Sequence, residues 1–248
     1  MDFRPTPIAI VNRAAQLAGR GGARVFAVLL VIACFPEATI AAAGYGTFME
    51  QTWGMGGTLA VWVLNWIIDS LAFTIAYKML VDEIDGPRRS WTAEAMAWQV
   101  AEGAMLFARG WWLSVPLLAV KGWLLQANPL ACAALWYVTV YVVPAFVIER
   151  RRPAECARNA LTLARLHTPG IVVAVVLTLC LQVLLTTAMT TADEALDVAL
   201  GAGPVASALH CLVRAGLATI AAAWTMGMYA CLRGLVEDRP DRVADLFE

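Results

Sequence analysis

Glu37, Asp69, Lys121 and Arg214 each interrupt a long apolar run. Two acids and two bases so placed have few chemistries open to them: mutual neutralisation, carriage of a proton or anion, or the holding of a polar solute away from water. Asn65 stands one helical turn before Asp69, and His210 one turn before Arg214, which makes them candidate partners in any such site. Patterns whose spacing specifies catalysis are missing. There is no H-E-x-x-H, no G-x-S-x-G and no Walker-type glycine loop. Ser207 and His210 are one turn apart but lack an oxyanion partner. No catalytic residue, metal ligand or cofactor is therefore expected. Cys34, Cys132, Cys156, Cys180, Cys211 and Cys231 occur singly, without a C-x-x-C pair, and read as small buried apolar residues.

The elements that must position these groups follow from composition. Of 248 residues, 60% are hydrophobic and 15% charged, whereas a soluble domain carries about 25% charged residues. That excess exceeds what one aqueous core can hide. Apolar stretches of about 20 residues read as membrane spans, here at 23–44, 57–81, 111–126, 129–148, 167–189 and 205–235. The expected fold is therefore an all-α membrane protein with six transmembrane helices in three hairpins. The run 25–43 ends in small residues like a signal peptide, but Glu37 interrupts it and it is read as a span. His167 and His210 then lie near opposite faces of the membrane, which excludes a bis-histidine haem.

Charge sets the orientation. The stretches after spans one, three and five (45–55, 126–129 and 190–203) contain no Lys or Arg, while arginines crowd the other side, from Arg4 to Arg242. Positive loops stay cytoplasmic, so both termini are expected inside. Asp193, Glu194 and Asp197 on the other face read as helix-start chemistry, with Thr191-x-x-Glu194 as a capping box.

Each hairpin is preceded by a segment of helical amphipathicity. In 7–20, Asn12, Arg13, Gln16 and Arg20 oppose Ile8, Ile10, Val11, Ala14, Leu17 and Ala18. In 92–108 the apolar stripe is Met96, Val100, Ala104 and Phe107. In 153–166 Glu155, Arg158, Thr162 and Arg165 form a polar stripe backed by Ala157, Ala160, Leu161 and Ala164. Such helices lie in the membrane interface or pack together as a cytoplasmic cap. The whole chain reads as one integral membrane domain with pseudo-repeats at 7–81, 92–148 and 153–235.

The stretch Pro144-Ala-Phe-Val-Ile-Glu149-Arg-Arg-Arg-Pro153-Ala-Glu155-Cys-Ala-Arg158-Asn-Ala-Leu161 resembles a six-span bacterial membrane-domain family. That family includes the membrane domain of glycerophosphodiester phosphodiesterases and the YciC inner-membrane protein. Its pattern is Pro, four apolar residues, Glu, a Gly/Arg-rich turn and an amphipathic helix. Tyr229-Ala-Cys-Leu-Arg233 is similar to the family's Tyr-x-x-Leu-Arg. Here Asn159 replaces the usual Ser and the turn is all Arg. The resemblance implies a bacterial inner-membrane location and a structural interface of Pro144, Glu149, Arg158 and Arg233, with Glu149 meeting Arg158. It does not imply phosphodiesterase activity, which belongs to a separate barrel domain.

A charge at midplane depth costs at least about 2.5–3.5 kcal/mol. Glu37, Asp69, Lys121 and Arg214, all roughly 15–20 Å deep by helical rise, are thus expected to face inward as one cluster, with Asp69 bonded to Arg214 or Lys121. The expected function is non-enzymatic: binding or moving a small or lipid-like molecule through this cluster. The alternatives are a membrane scaffold or accessory subunit and, third, a membrane-embedded lipid-modifying enzyme. Arg150, Arg151 and Arg152 are expected to meet lipid headgroups. Membrane lipids, a membrane-protein partner or a second copy are the expected partners, and nucleic acid is not. Topology is directly testable: thiol reagents applied from outside should label cysteines introduced in 45–55 and 190–203 but none in 88–109, and labelling of the latter reverses the orientation.

Overall fold

The computed structural model describes residues 6–42, 44–85, 92–127, 140–166, 168–201 and 203–237; the side chains of Glu37 and Lys121 lie outside what is described. Among the described residues every regular element is helical. Four helices are long and apolar enough to cross a membrane: Pro7–Ile40, Met55–Ile84, Ile171–Leu200 and Pro204–Val236. The expected span at 111–126 lies within the helix Ala93–Ala127, and the one at 129–148 is described only from residue 140.

Helix α1 (Pro7–Leu29) starts on Thr6, whose hydroxyl accepts from the Ala9 amide, with Pro7 in the first turn. It runs through a π-turn at Leu30–Cys34 into α2 (Phe35–Ala42). The wider turn falls just before Pro36, which has no N–H to give the ladder, so the helix continues past it. The short α3 (Tyr45–Trp53) is bounded by Gly44 (φ 64°) and Gly54 (φ 56°), both in the left-handed region glycine favours. Then come α4 (Met55–Asp85), α5 (Ala93–Ala127), α6 (Pro153–Leu166), α7 (Thr168–Leu200) and α8 (Pro204–Glu237). Residues 140–148 precede α6 and end in a second π-turn, Pro144–Ile148.

Several expectations need correction. The amphipathic stretches 7–20 and 92–108 are not separate interfacial helices: each continues without a break, the first into α2 and the second to the end of α5. The glycines that might have ended them serve close packing instead. A β-carbon at Gly103 would lie 2.7 Å from an Ile75 side-chain carbon, and one at Gly110 2.7 Å from Val147. With lipid as solvent, such small-residue approaches are the main route to helix association. The buried lines also differ from those expected. Helix α1 buries Ile10, Ala14 and Leu17 but leaves Ile8 and Val11 exposed, and the most buried side chain on the first turns of α5 is polar Gln99. The capping box at Thr191 does not exist, because α7 runs uninterrupted to Leu200. It ends on Gly201 (φ 65°), and α8 begins on Pro204.

Packing is uneven along the bundle. Helix α1 lies along α8, α4 pairs with α5, and α7 with α8. The core of Leu17, Val25, Ile75, Met79, Leu80, Met226, Tyr229 and Leu232 occupies the Arg-rich half. At Gly227 a β-carbon would sit 2.8 Å from the Ala14 nitrogen, so α1 and α8 touch backbone to backbone. The opposite half leaves Trp62, Leu64, Val183 and Leu184 exposed, a surface suited to hydrocarbon rather than water.

Charge is sealed into that core. Arg24 of α1 pairs with Glu83 of α4, both nearly inaccessible. Next to Glu83 in sequence, Asp82 accepts from Lys78 at 2.6 Å; Lys78 also lies 3.1 Å from Glu102 of α5, and Gln99 reaches Asp82 at 3.4 Å. These contacts tie α1, α4 and α5 together. Removing one member of a buried pair strands the other, at a cost of about 3–5 kcal/mol, whereas replacing both with apolar residues is often neutral. Glu83→Gln should accordingly lower unfolding free energy in detergent by that amount, and the Arg24→Met, Glu83→Leu double variant should recover most of it. Equal losses in the single and double variants would remove the pair from this role.

Candidate binding cavity

Between α4, α5, residues 140–143, α7 and α8 lies a cavity of about 470 Å³, within the range of small-molecule pockets. Helix α8 contributes Arg214, Leu217, Ala218, Ala221, Trp224 and Thr225 to its wall, a stretch of about 16 Å along the axis at 1.5 Å per residue. Helix α7 contributes Thr178, Gln182, Thr186 and Thr190, each one turn from the next, with Leu181, Leu185 and Met189 between them. Ser70, Phe73, Thr74 and Tyr77 of α4, with Ser114 and Leu117 of α5, close the other side.

Four of the lining hydroxyls are arranged for accepting rather than donating. Thr74 donates to the Ser70 carbonyl at 2.7 Å, Ser114 to Gly110 at 2.8 Å, Thr190 to Thr186 at 3.1 Å and Thr225 to Ala221 at 2.8 Å. Each hydroxyl thus spends its hydrogen on its own helix and keeps oxygen lone pairs for another partner. The Trp224 indole donates to Thr178 at 2.7 Å, and Thr178 lies 2.9 Å from the Ala174 carbonyl. Among the described lining residues Arg214 carries the only charge. An elongated, largely apolar slot with a guanidinium toward one end suits a solute that is apolar along its length and polar or anionic at its head.

Of the residues singled out from the sequence, Arg214 lines this cavity. Asp69 is half-buried next to Ser70, which does line it. Asn65 is also half-buried, with its Oδ1 sequestered, and does not line the cavity. The expected cluster of four is described only in part, because the side chains of Glu37 and Lys121 lie outside the description. His210 belongs elsewhere: its Nδ1 is 3.0 Å from Asp193 and its Nε2 3.6 Å from Asp197. The ring thus bridges α8 to the end of α7, through carboxylates that the sequence alone suggests as cap chemistry.

No family model, no curated protein and no solved structure matches this chain. Its functional reading therefore stands on its own geometry.

A second polar centre closes the Arg-rich end. Glu149, which follows the π-turn, lies 2.7 Å from Arg151 and 3.2 Å from Arg233 of α8. Arg151 reaches on to Glu155 at 3.8 Å. Burial works against the Arg151 charge, but the adjoining Glu149 carboxylate outweighs it and raises its pKa. Arg151 is therefore committed to Glu149 instead of standing with Arg150 and Arg152 toward headgroups. Trp112 meets Phe146 edge-on at 5.7 Å, and Tyr141 lies 6.0 Å from Tyr229, so rings reinforce the same junction. In α6 the buried side chains include Cys156, Asn159, Ala160, Thr162 and Leu163, while Leu161 is 61% exposed. Its packed face is thus rotated from the one expected, because polar Asn159 and Thr162 turn inward. Burial pushes the Cys156 thiol above its ordinary range, which makes it a small unreactive core residue.

Arg150 has φ 59°, a conformation that costs a side chain about 1–2 kcal/mol and glycine very little. Arg150→Gly should hold or raise stability by up to about 1 kcal/mol. Arg151→Gly, which uncouples the buried Glu149, should lower it by about 1.5–3 kcal/mol. Thermal melts of the two variants in the same detergent check the contrast, and equal effects would overturn it.

Proposed function

We propose that this chain is a non-enzymatic protein of the bacterial inner membrane that holds or moves a small or lipid-like molecule in the cavity beside Arg214. It would have six spans with both termini in the cytoplasm, and belong to the membrane-domain family its Pro144–Leu161 stretch resembles. The cavity itself carries the reading. It lies part-way along three helices long and apolar enough to span, α4, α7 and α8, its walls are mainly apolar, and its lining includes a guanidinium and a run of hydroxyl oxygens. A guanidinium in a low-dielectric slot attracts an anionic or strongly polar head more effectively than it would in water. Among the described residues the lining brings together no nucleophile and base of the kind a lipid-modifying enzyme would need.

A scaffold or accessory-subunit role is the second reading. The sealed Arg24–Glu83 pair and the Lys78 contacts support it, since they serve shape rather than passage.

Native mass spectrometry of the full chain, purified in mild detergent, separates the two. On the binding reading the protein retains a lipid-sized adduct. Ala218→Phe, which fills the slot, should remove it, and Arg214→Gln should reduce it roughly tenfold, as loss of one charge-assisted contact implies. A well-folded wild type without adduct, or one whose adduct survives Ala218→Phe, overturns the binding reading and favours the scaffold.

A further inference from the structure

We infer that ligand binding in the cavity is linked to a proton held by His210. The inference rests on the binding reading above and adds its regulation. At one end the cavity is lined by Met189 and Thr190 of α7 and by Arg214 of α8. Asp193 stands one helical turn beyond the first two, and His210 one turn before the third. These residues meet across that end, with His210 Nδ1 3.0 Å from Asp193 and Nε2 3.6 Å from Asp197. A neutral imidazole has one N–H and one bare lone pair, so one of its nitrogens would turn that lone pair toward a carboxylate oxygen. Only the imidazolium presents hydrogen to both. Asp193 Oδ1 and His210 Nε2 are shut off from water, so solvent does little to relieve the mismatch. The side chain as a whole is 27% exposed, which lets the proton come and go.

The charge of the ring reaches the cavity because the two are adjacent. Without the proton, Asp193 and Asp197 leave two negative charges beside the Arg214 end, and these repel an anionic head seated there. With it, one of the two is cancelled. A bound anion in turn stabilises the imidazolium, so binding and protonation favour each other. Acid therefore favours retention and alkali favours release. The other ionisable groups toward this end are Arg214 on α8, exposed Glu194 on α7 and half-buried Asp69 on α4. On the opposite flank of α8, Cys211 meets the Cys34 carbonyl of the first π-turn at 3.5 Å, and the Glu37 side chain of α2 lies outside what is described. None of these shares the position of His210, with a carboxylate at each ring nitrogen. In the orientation proposed above this is the outer end, so the proton is exchanged with the outer compartment.

Native mass spectrometry of the full chain in non-ionic detergent, titrated with lysophosphatidylglycerol, tests the linkage. The phosphodiester of this probe keeps its negative charge throughout, so a pH dependence belongs to the protein. Affinity for the probe should fall roughly five- to tenfold between about pH 5.5 and 8.5, while that for an uncharged monoacylglycerol stays constant. His210→Gln should bind the anionic probe weakly at every pH, and Asp193→Asn with Asp197→Asn tightly at every pH. Ala218→Phe should remove the adduct, which locates it in the cavity. A flat wild-type profile, where Ala218→Phe still removes the adduct, overturns the linkage and leaves the binding reading intact. A slope that survives His210→Gln does the same. An adduct that Ala218→Phe leaves in place overturns both.

Discussion

The rest of the structure depends on the pairing of Arg24 with Glu83. Neither charge could occupy the interior alone, and each sits on a helix that the other helps to place. Glu83 fixes the rotation of α4 about its axis, which brings Lys78 and Asp82 toward α5 and points Ile75 at Gly103. Arg24 fixes α1, which then presents Ala14 to Gly227 and seats α8. Apolar surfaces in lipid gain little by choosing one neighbour over another, so specificity has to come from contacts that fail when misaligned. A sealed ion pair and a glycine pressed against a backbone both meet that condition.

Two kinds of polar chemistry are consequently separated in space. At the Arg-rich end, acids and bases are packed against one another and against the aromatic junction at Glu149. Toward the middle, the bundle is looser and hydroxyl oxygens face a void rather than a counter-charge. The tight end is held by its own acids and bases. The middle has acceptors, a guanidinium and room.

The helices themselves were legible in the sequence, because about 20 apolar residues leave few alternatives, and four of the helices found are long and apolar enough to span. Arg214 could be singled out because a base in an apolar run is conspicuous. The pairing of Arg24 with Glu83 could not: the two are 59 residues apart, and each looks like an ordinary flanking charge at the end of a span. Nor could the ends of the amphipathic stretches be found. Glycine reads as a breaker until the neighbouring helix is known, and Gly103 and Gly110 turn out to be points of contact. The cavity left one signal that went unread: Thr178, Gln182, Thr186 and Thr190 repeat every fourth residue along α7. Threonine is so common in membrane helices that this stripe becomes informative only beside Arg214 and Trp224. His210 and Asp193 each stand out in the sequence, but a helix start at Thr191 would place them on separate elements.

The indole of Trp224 joins α8 to Thr178 of α7, and His210 joins the same two helices some four turns away. Touching at two levels, α7 and α8 form one panel of the wall. Widening the void by parting these two helices would break both fastenings together. Helix α8 is in turn seated on α1, and through it on α4, by Gly227 against Ala14 and by the Arg24–Glu83 pair. The panel therefore hangs from α4 at the Arg-rich end, and any change of volume would be taken up at its far, less packed end.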